Sequence, residues 1–472
     1  MKIIVIGAGF TGATVAETLV AEHNDVTVVD TNERRLQALQ DRLDLRSVWG
    51  DGTLPSVLQA ARAGDAELLL AVTDSDHVNL CICRTAGTLF NIPTKIAILR
   101  AEDYGDYPEL LGLQGFSVDR RICPEQIFTQ YIERLIEYPA ASQILQFGAG
   151  TLTLATLRIT KNSALVGRGL GEISSLMADR AVAIPGIVRD DQILMGEQGS
   201  LEVGDELVCL AATGDIQTIL QTLDGKATTC KRIMIAGGGT AGLRLAKATQ
   251  ARYLVKLVEL SGERVEHLSR RLSHTLVLHG DAADEALLAN EGIGGMDFFA
   301  ALTDDEETNI VACLLAKKMG ARRVLALINR GVYANLVQSD RIDIALSPGQ
   351  VVLGDLMTQV RHGDVVAVHS LRHGVAEVIE IVVHGDLGTS KVVGRRLDQL
   401  QLPKGALVGA VLRPAPQGQG RSSARNGALP AFQVLLATHT QIQAGDHVIL
   451  LLADRKSVVQ VEKLFSVGVY FI

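Results

Sequence analysis

A glycine-rich fingerprint that occurs twice, 230 residues apart, constrains the fold of this 472-residue chain more than any other feature. The first copy is GAGFTG at residues 7–12, and the second is GGGTAG at residues 237–242. Five further positions keep nearly the same separation, and they are Asp30/Glu259, Gly50/Gly280, Thr73/Thr303, Asn79/Asn309 and Arg100/Arg330. Such a register indicates that one α/β unit has been duplicated.

Each fingerprint has the context that a dinucleotide-binding loop requires. In the first copy, an apolar stretch at residues 3–6 precedes the glycines and a helical pattern follows them. The first glycine permits a tight turn, the second lets the backbone approach a pyrophosphate, and the third lets the helix pack on the strand. The N-terminus of the helix then attracts the phosphates. The predicted nucleotide-contacting residues of the two loops are Gly7, Ala8, Gly9, Phe10, Thr11 and Gly12, and Gly237, Gly239, Thr240 and Gly242.

An acidic residue follows the second strand of each unit. Asp30 comes after the apolar stretch at residues 26–29, and Glu259 comes after residues 254–258. A carboxylate at this position accepts both ribose hydroxyls and repels a 2′-phosphate, which favours NAD over NADP. The alternative is an exposed acid that simply ends a strand. The longer side chain of Glu259 leaves the occupancy of the second site open.

Residues after later strands complete the predicted site. Asp51 and Asp281 each follow a glycine after a third short strand. A carboxylate or its backbone can meet an adenine edge there, and stabilisation of a turn is the alternative. Arg100 and Arg330 follow fifth strands, at the edge of the sheet where ligands bind. A guanidinium there suits a phosphate, and a salt bridge to a neighbouring acid is the alternative.

A threonine–aspartate pair follows the fourth strand of each unit, at Thr73-Asp74 and at Thr303-Asp304. Thr73, Asp74 and Thr303 are candidate nucleotide ligands because they lie at the same predicted sheet edge. Thr303 and Glu306 also have the spacing of a capping box. Helix capping alone therefore remains an alternative explanation for these residues.

The repeat divides the chain into four parts. Each glycine-rich unit is followed by a shorter run of strand-like stretches, so the predicted fold class is α/β, with two Rossmann-like parallel-sheet domains, each followed by a small α+β domain. The predicted boundaries are 1–140, 141–228, 229–366 and 367–472. A polar insert at residues 414–423 is rich in Gly, Pro and Ser, which is typical of a mobile loop.

Composition and charge exclude several classes of protein. A formal net charge of -8 without a long basic run argues against nucleic-acid binding. No apolar run approaches the ~20 residues of a membrane span. The apolar N-terminus resembles an export signal, but its pattern recurs at residues 231–236, which indicates a strand and a cytoplasmic protein. The six cysteines are dispersed, which favours reduced, buried thiols and no metal site.

No catalytic constellation accompanies the glycine-rich units. A dehydrogenase needs an acid/base group beside the nicotinamide, but His373 and His384 lie in strand-like stretches without a recognisable paired carboxylate. The sequence therefore predicts no catalytic residues and a sensor rather than an enzyme. A cytoplasmic NAD-dependent oxidoreductase is the alternative function, and a scaffold with vestigial glycine loops is a third.

The motifs taken together resemble the TrkA family of Trk potassium-uptake regulatory proteins, which are built from two tandem RCK (also called KTN) units. The resemblance covers essentially the whole chain. It rests on residues 7–12, 29–30, 50–53, 73–79 and 124–126, on their repeats, and on residues 461–465. Each motif alone is weak, whereas the set is specific. The insert near Gly418 is the main departure, and it lies outside the nucleotide motifs.

The resemblance implies a cytoplasmic protein that is peripheral on the inner face of the membrane. It implies a tetramer that forms a ring of eight RCK units below a membrane-embedded, potassium-translocating Trk subunit. It also implies that NAD(H) and ATP or ADP compete for the glycine-rich clefts and that their binding alters potassium flux.

Overall fold

The computed structural model describes residues 1–177, 180–190, 192–196, 199–224, 229–328, 342–360, 364–372, 375–415, 432–436, 439–454 and 457–467. Three features singled out in the sequence lie outside these ranges, namely Arg330, His373 and residues 416–423 of the polar insert. Within the ranges described, no helix combines the length and the apolar character that crossing a membrane requires.

The first glycine-rich unit forms a six-stranded parallel sheet with the order β3-β2-β1-β4-β5-β6. The strands are β1 (Lys2–Ile6), β2 (Asp25–Asp30), β3 (Arg46–Trp49), β4 (Leu68–Ala71), β5 (Thr94–Ile98) and β6 (Arg120–Ile122). The helices are α1 (Phe10–Ala21), α2 (Glu33–Gln40), α3 (Pro55–Ala60), α4 (Asp76–Thr85), α5 (Asp103–Asp106), α6 (Pro108–Leu111) and α7 (Pro124–Glu137). Sheets of this order bind ligands where the order reverses, between β1 and β4.

Aliphatic residues buried on both faces hold this sheet together. β1 and β4 read KIIVI and LLLA, and each contains four consecutive buried residues. Val15 and Leu19 of α1 lie in the apolar core on one face, and Leu58 and Leu80 lie in the core on the other. Parallel strands enclosed in this way are expected to be continuously apolar rather than alternating, which is the pattern seen in the sequence.

The second glycine-rich unit repeats this sheet, with the order β14-β13-β12-β15-β16-β17. The strands are β12 (Arg232–Ala236), β13 (Leu254–Glu259), β14 (Thr275–His279), β15 (Phe298–Ala301), β16 (Val324–Leu327) and β17 (Ile344–Leu346). The described helices are α10 (Thr240–Thr249), α11 (Gly262–Arg271), α12 (Glu285–Asn290), α13 (Glu306–Lys318) and α14 (Pro348–Val360).

A small domain with an antiparallel sheet follows each parallel sheet. The first has the order β10-β9-β11-β8-β7, from β7 (Ala141–Phe147), β8 (Leu152–Arg158), β9 (Val182–Arg189), β10 (Gln192–Met195) and β11 (Glu206–Ala212), with helices α8 (Leu170–Leu176) and α9 (Thr213–Asp224). The second has the order β18-β19-β22-β20-β21, from β18 (Val365–Leu371), β19 (Ala376–Val382), β20 (Ala406–Pro414), β21 (Phe432–Leu435) and β22 (His447–Leu452), with helix α15 (Ser457–Phe465). The predicted fold class is confirmed.

The domains pack in a different order from the one they have along the chain. Met1–Ile132 and Lys231–Val360 form one compact unit, which contains both parallel sheets. Glu133–Cys230 and Arg361–Ile472 form the other, which contains both antiparallel sheets. The chain therefore passes between the units three times. The four boundaries drawn from the sequence follow chain order and remain predictions.

Helix α14 joins the two halves of the first unit. It belongs to the second half by sequence, yet Val352, Leu356 and Met357 lie in the apolar core of the first sheet, together with Val15 and Leu19 of α1. Burial of an aliphatic side chain contributes about 1.5–3 kcal/mol. These contacts therefore make a substantial contribution to the association of the two halves.

The cysteines follow the sequence prediction in part. All six are free thiols and four are buried, but Cys81 is exposed and Cys230 is half-buried, so the prediction of burial is wrong for these two. Burial raises the pKa of Cys83 to about 12 and the pKa of Cys209 to about 12. A thiol with so high a pKa stays protonated and unreactive at neutral pH.

Candidate functional site

The first glycine-rich loop connects β1 to α1 at the point where the strand order reverses. Gly7 has a φ of +112°, and a Cβ there would lie 3.0 Å from the carbonyl oxygen of Val72, so the turn requires glycine. A Cβ on Gly12 would overlap the carbonyl oxygen of Gly7. Gly9, in contrast, has nothing within 4 Å of its Cβ position. The backbone at Gly9 therefore borders open space at a helix N-terminus, as a phosphate-binding loop requires.

The second loop has the same geometry at the three corresponding positions. Gly237 has a φ of +100°, and a Cβ there would lie 2.9 Å from the carbonyl oxygen of Leu302. A Cβ on Gly242 would overlap the carbonyl oxygen of Gly237, and Gly239 again has nothing within 4 Å. The duplication has therefore preserved the turn, the close helix packing and the open position.

The acid after the second strand holds the glycine-rich loop in both halves. The Asp30 carboxylate accepts the backbone N–H of Ala8 at 2.5 Å and that of the residue two positions beyond the acid at 2.7 Å. The Glu259 carboxylate accepts the equivalent N–H of Gly238 at 2.7 Å and that of the residue two positions on at 2.8 Å. Since a carboxylate oxygen has two acceptor positions, ribose hydroxyls can donate to the same groups. Neither acid is the exposed strand end that was the alternative, because Glu259 is buried and Asp30 is half-buried.

A glycine makes room for the longer acid of the second half. A Cβ on Gly238 would lie 2.9 Å from Oε2 of Glu259 and would overlap the side chain of Leu268. The first half has Ala8 at this position, beside the shorter Asp30. The smaller residue at the loop position (Gly238 for Ala8) therefore accompanies the longer acid (Glu259 for Asp30). Alignment of the two repeats would have shown this paired difference from the sequence alone.

The predicted threonines are part of a buried hydrogen-bond network. In the first half, the backbone N–H and the hydroxyl of Thr73 both donate to Oδ1 of Asn79, at 3.0 and 2.6 Å. The Asn79 amide donates in turn to the carbonyl oxygen of Ile98, at 2.8 Å. In the second half, Thr303 and Asn309 form the same bonds at 2.9 and 2.7 Å. The asparagine therefore ties the end of one strand to the next and fixes the sheet edge.

Other residues cap the helices that follow these threonines. Ser75 is the N-cap of α4 and Asp305 is the N-cap of α13, and each accepts the backbone N–H three residues further on. The capping box predicted for Thr303 and Glu306 is therefore wrong. Thr303 lies two residues before the N-cap position that a capping box would require it to occupy.

Arg100 lies between the glycine-rich edge and two acids. One Nη donates to the carbonyl oxygen of Thr73 at 3.2 Å, Nε lies 3.3 Å from Glu125, and the other Nη lies 3.7 Å from Asp74. The salt bridge that was the alternative for Arg100 is thus present. The Asp74 side chain is 96% exposed, and exposed ion pairs contribute only about 0–1 kcal/mol. A phosphate can therefore replace Asp74 at little cost.

Asp51 and Asp281 stabilise their own turns, as the alternative interpretation proposed. Each accepts the backbone N–H two residues further on, at 2.9 Å for Asp51 and 2.8 Å for Asp281. The glycines before them, Gly50 and Gly280, both donate at 3.0 Å to the carbonyl oxygen of the acid that ends the second strand. These turns therefore lie directly beside the acid predicted to bind the ribose in each half.

An arginine that the sequence analysis missed links the two halves. Arg244 lies on α10, just after the second glycine-rich loop, and its side chain is 13% exposed. It donates to Sγ of Cys123 at 3.2 Å and lies 3.0 Å from Glu102. A third contact, at 3.5 Å, reaches the carbonyl oxygen of Arg100. The repeat gave no signal for this residue, because the equivalent position in the first half is Thr14.

Phe10 makes the reciprocal contact. A Cβ on Gly349, at the start of α14, would overlap the Phe10 ring, so the two residues are in close contact. Phe10 is part of the first glycine-rich loop. Each loop region therefore touches an element of the other half.

Comparison with known proteins covers both halves of the chain. The model of the TrkA-N domain family matches residues 3–121 and 233–348. The Trk system potassium uptake protein TrkA of Halomonas elongata is 43% identical over 473 residues, and that of Vibrio alginolyticus is 42% identical over 476 residues. In both cases the similarity covers 100% of each chain.

Solved structures show the same fold. The GsuK RCK domain has a TM-score of 0.59 and 18% identity, with coverage of 98% of this chain and 94% of that chain. The GsuK channel bound to NAD has a TM-score of 0.59 and 18% identity, with coverage of 98% and 78%.

The duplicated parallel sheets, each followed by a small antiparallel domain, give this chain the fold of the GsuK RCK domain. The chain's identity to the full-length relatives shows further that it belongs to the TrkA family of Trk potassium uptake proteins. The resemblance drawn from the sequence motifs is confirmed. The three full-length relatives are named for potassium uptake and not for a reaction, which does not favour the oxidoreductase alternative.

Proposed function

We propose that this chain is a nucleotide-sensing regulatory subunit that gates a Trk-type potassium channel or transporter in the membrane. NAD(H) and ATP or ADP are its proposed ligands, and they compete for the glycine-rich clefts. The observation that carries the proposal is the open backbone at Gly9 and Gly239, at a helix N-terminus in each half. The GsuK channel, which shares the fold, has been solved bound to NAD.

The first cleft contains groups suited to each part of an adenine dinucleotide. The backbone around Gly9 takes the pyrophosphate, and the Asp30 carboxylate takes the ribose hydroxyls. The turn at Asp51 faces the adenine edge, and Arg100 takes a phosphate in place of Asp74. The Asp30 carboxylate repels a 2′-phosphate, so NAD(H) binds in preference to NADP(H).

The second cleft offers the equivalent groups. Gly239 and Thr240 are at the phosphate position, Glu259 is at the ribose position, and Asp281 and Thr303 lie at the same edge. Arg330 is the proposed phosphate ligand by its position in the repeat. Glu259 differs from Asp30 in length but keeps the same two backbone hydrogen bonds, which supports a working second site.

Ligands of opposite effect must bind the two states of the protein with different affinities. A change from a 1:99 to a 99:1 population requires about 5.5 kcal/mol of differential binding. Four chains with two clefts each would form a ring of eight RCK units and share this requirement. This supports a tetramer on the cytoplasmic side of the membrane subunit, where nucleotide binding is coupled to potassium flux.

Potassium flux tests the proposal. The membrane Trk subunit is reconstituted in vesicles, and potassium uptake is measured with and without this chain, in the presence of NADH, NADPH, ATP or ADP. NADH and the adenine nucleotides should change uptake in opposite directions, and NADPH should have little effect. Gly9→Val should abolish the nucleotide response by filling the open position.

Gly64→Val is the matched control, because Gly64 also has nothing within 4 Å of its Cβ position but lies outside the site. It should keep the full nucleotide response. A ligand at about 100 times its dissociation constant should add about 2.7 kcal/mol of stability, which thermal unfolding detects. Uptake that ignores every nucleotide, with no thermal shift, would refute the proposal and favour a scaffold.

A further inference from the structure

The only tryptophan of the chain lies beside the proposed ribose-binding acid. Trp49 ends β3, and its register partner on β2 is Asp30. Its side chain is exposed, with 67% of its surface accessible. The indole N–H donates to the carbonyl oxygen of Thr31, at 3.1 Å. Because its only polar atom is already bonded, the indole has its aromatic surface left for recognition.

The second half holds a ring at the same place by the same bond. His279 ends β14, and its register partner is Glu259. Nε2 of His279 lies 3.0 Å from the carbonyl oxygen of Leu260, the residue directly after the acid. The ring-to-carbonyl bond has thus been kept while the indole and the imidazole differ. Packing does not account for this, because both rings are exposed.

The strand order indicates what these rings face. The glycine-rich loop follows β1, the acid ends β2, and the ring ends β3, and these are successive neighbours in the sheet. A nucleotide with its pyrophosphate at the β1 loop and its ribose at the β2 acid continues outward to β3. The group attached to that ribose is the adenine base, so the base reaches the position of Trp49.

We propose that Trp49 is the stacking surface for the adenine base in the first nucleotide site, and that His279 is its smaller counterpart in the second. The inference rests on the proposed function, since it specifies one contact of the same site. Stacking of a base on an aromatic side chain changes affinity by about 5- to 150-fold when the ring is removed. The larger indole therefore gives the first site the tighter hold on adenine nucleotides.

Titration of the intact protein tests the role of Trp49. ADP binding is measured by calorimetry, and the emission of the single tryptophan is followed in parallel. ADP should change the emission, whereas nicotinamide mononucleotide, which lacks adenine, should not. Trp49→Ala should weaken ADP binding at the first site by about 5- to 150-fold. Trp49→Phe keeps an aromatic face without the N–H and should retain most of the affinity.

Leu113→Ala is the control, because Leu113 is an exposed apolar residue of the same sheet domain. This variant should bind ADP with the affinity of the wild type. If the wild type binds ADP but Trp49→Ala binds it equally well and the emission is constant, the stacking role is wrong and the proposed function stands. If Trp49→Phe loses as much affinity as Trp49→Ala, the N–H anchor matters and stacking is refuted. Failure of the wild type to bind any nucleotide overturns the proposed function itself.

The double variant Trp49→Phe/His279→Trp moves the only tryptophan to the second half. ADP should then change an emission that reports the second site alone, with a tighter dissociation constant than calorimetry gives for that site in the wild type. An emission that stays constant while calorimetry shows both sites filled would refute the equivalence of the two ring positions.

Discussion

The two parallel-sheet domains share a backbone fold and differ in several side chains of the proposed nucleotide clefts. Both loops keep a positive-φ first glycine, an open second glycine and a third glycine pressed against the first. The side chains that differ, first half against second, include Ala8/Gly238, Phe10/Thr240, Thr11/Ala241, Asp30/Glu259 and Trp49/His279. Duplication has therefore preserved the hydrogen bonds that shape the loop, while side chains of the proposed clefts diverged.

The two small domains differ in a similar way. The register that pairs Leu145 with Leu154 in the first pairs His369 with Val378 in the second, so His369 takes the place of Leu145. His447 likewise stands at the start of its central strand, where the first domain has Glu206. Ionisable side chains in the second domain replace the aliphatic and acidic ones of the first. Ionisable groups in the sheet are thus one difference between these two copies.

The largest expected effect comes from the feature that both halves share. Gly12→Ala and Gly242→Ala each place a Cβ into the carbonyl oxygen of the first glycine of the loop. The helix must move away from its strand, so each variant should lose about 3 kcal/mol or more of folding stability. Thermal and denaturant unfolding measure the loss. Equal losses would confirm the equivalence of the loops, and a small loss in one half would break it.

Gly9→Ala and Gly239→Ala are the matched controls, because their added methyl groups enter open space. They should unfold close to the wild type. Their nucleotide affinity should fall nonetheless, since the methyl group occupies the position that the pyrophosphate approaches.

A smaller effect should distinguish the halves at the loop position next to the acid. Gly238→Ala brings a methyl group against Glu259 and Leu268 and should cost about 1–3 kcal/mol, as overpacking does. Glu259→Asp in the same chain shortens the acid and should recover part of this loss, because the pair then matches Ala8 and Asp30. A double-mutant cycle from unfolding data measures the coupling.

Ala8→Gly is the reverse change in the first half and should cost under about 1 kcal/mol, since it adds only backbone freedom. Strict additivity of the Gly238→Ala and Glu259→Asp effects would show that the two differences between the halves arose independently.

The fold and most of the site could be predicted from the sequence because they depend on local patterns. Three glycines after an apolar strand, with an acid at the end of the next strand, specify the loop by backbone sterics alone. The duplication then confirmed each motif against its copy. The predicted N-cap of α13 was wrong because Thr303 and Asp305 both have a side-chain oxygen near the start of the helix. Thr303 donates its hydroxyl to Asn309, and Asp305 accepts the backbone N–H of Thr308 and caps the helix.

Contacts between the halves could not be predicted, because they depend on tertiary packing and are not duplicated. Arg244 has Thr14 as its counterpart, and Phe10 has Thr240. When the two halves are aligned, a residue that occurs in one half and not in the other cannot be distinguished from ordinary variation of surface residues. The packing of α14 on the first sheet is hidden for the same reason, since its apolar residues suit burial against either half.

A third prediction uses pH to compare the small domains. Desolvation, with the nearby charge of Arg134, lowers the pKa of His369 to about 4, against about 6.5 in the unfolded chain. Between these values the unfolded chain binds a proton that the folded chain does not. Stability is therefore full above about pH 6.5 and falls as the pH is lowered toward 4. Because the ring is half-buried, we expect a loss of about 1–2 kcal/mol.

Unfolding of the wild type and of His369→Leu between pH 7 and 4.5 measures this loss. The variant has leucine at position 369, as the first small domain has at Leu145. Its free energy of unfolding should therefore fall less than that of the wild type when the pH is lowered, by about 1–2 kcal/mol. Identical pH profiles would show that acid sensitivity arises elsewhere and that this difference between the domains has no energetic consequence.

The smallest expected change in stability tests whether the two unlike sites communicate. Arg244→Ala removes the contacts of α10 with Cys123 and Glu102. The Glu102 side chain is 58% exposed and is solvated when its partner is lost, so stability should fall by only about 1 kcal/mol. The coupling between the sites should fall more visibly, because this contact is the direct link from the second loop helix to the first sheet edge.

Calorimetric titration with ADP, with and without saturating NADH, measures that coupling, which is typically about 1–3 kcal/mol between allosteric sites. Arg244→Ala should reduce it, whereas Thr14→Ala, at the equivalent position of the first half, should leave it unchanged because the Thr14 hydroxyl donates to the carbonyl oxygen of Phe10 in its own helix. If both variants keep the wild-type coupling, the link runs through Phe10 and α14 instead. Phe10→Ala should then remove it, which would assign communication to the first loop and not to the second.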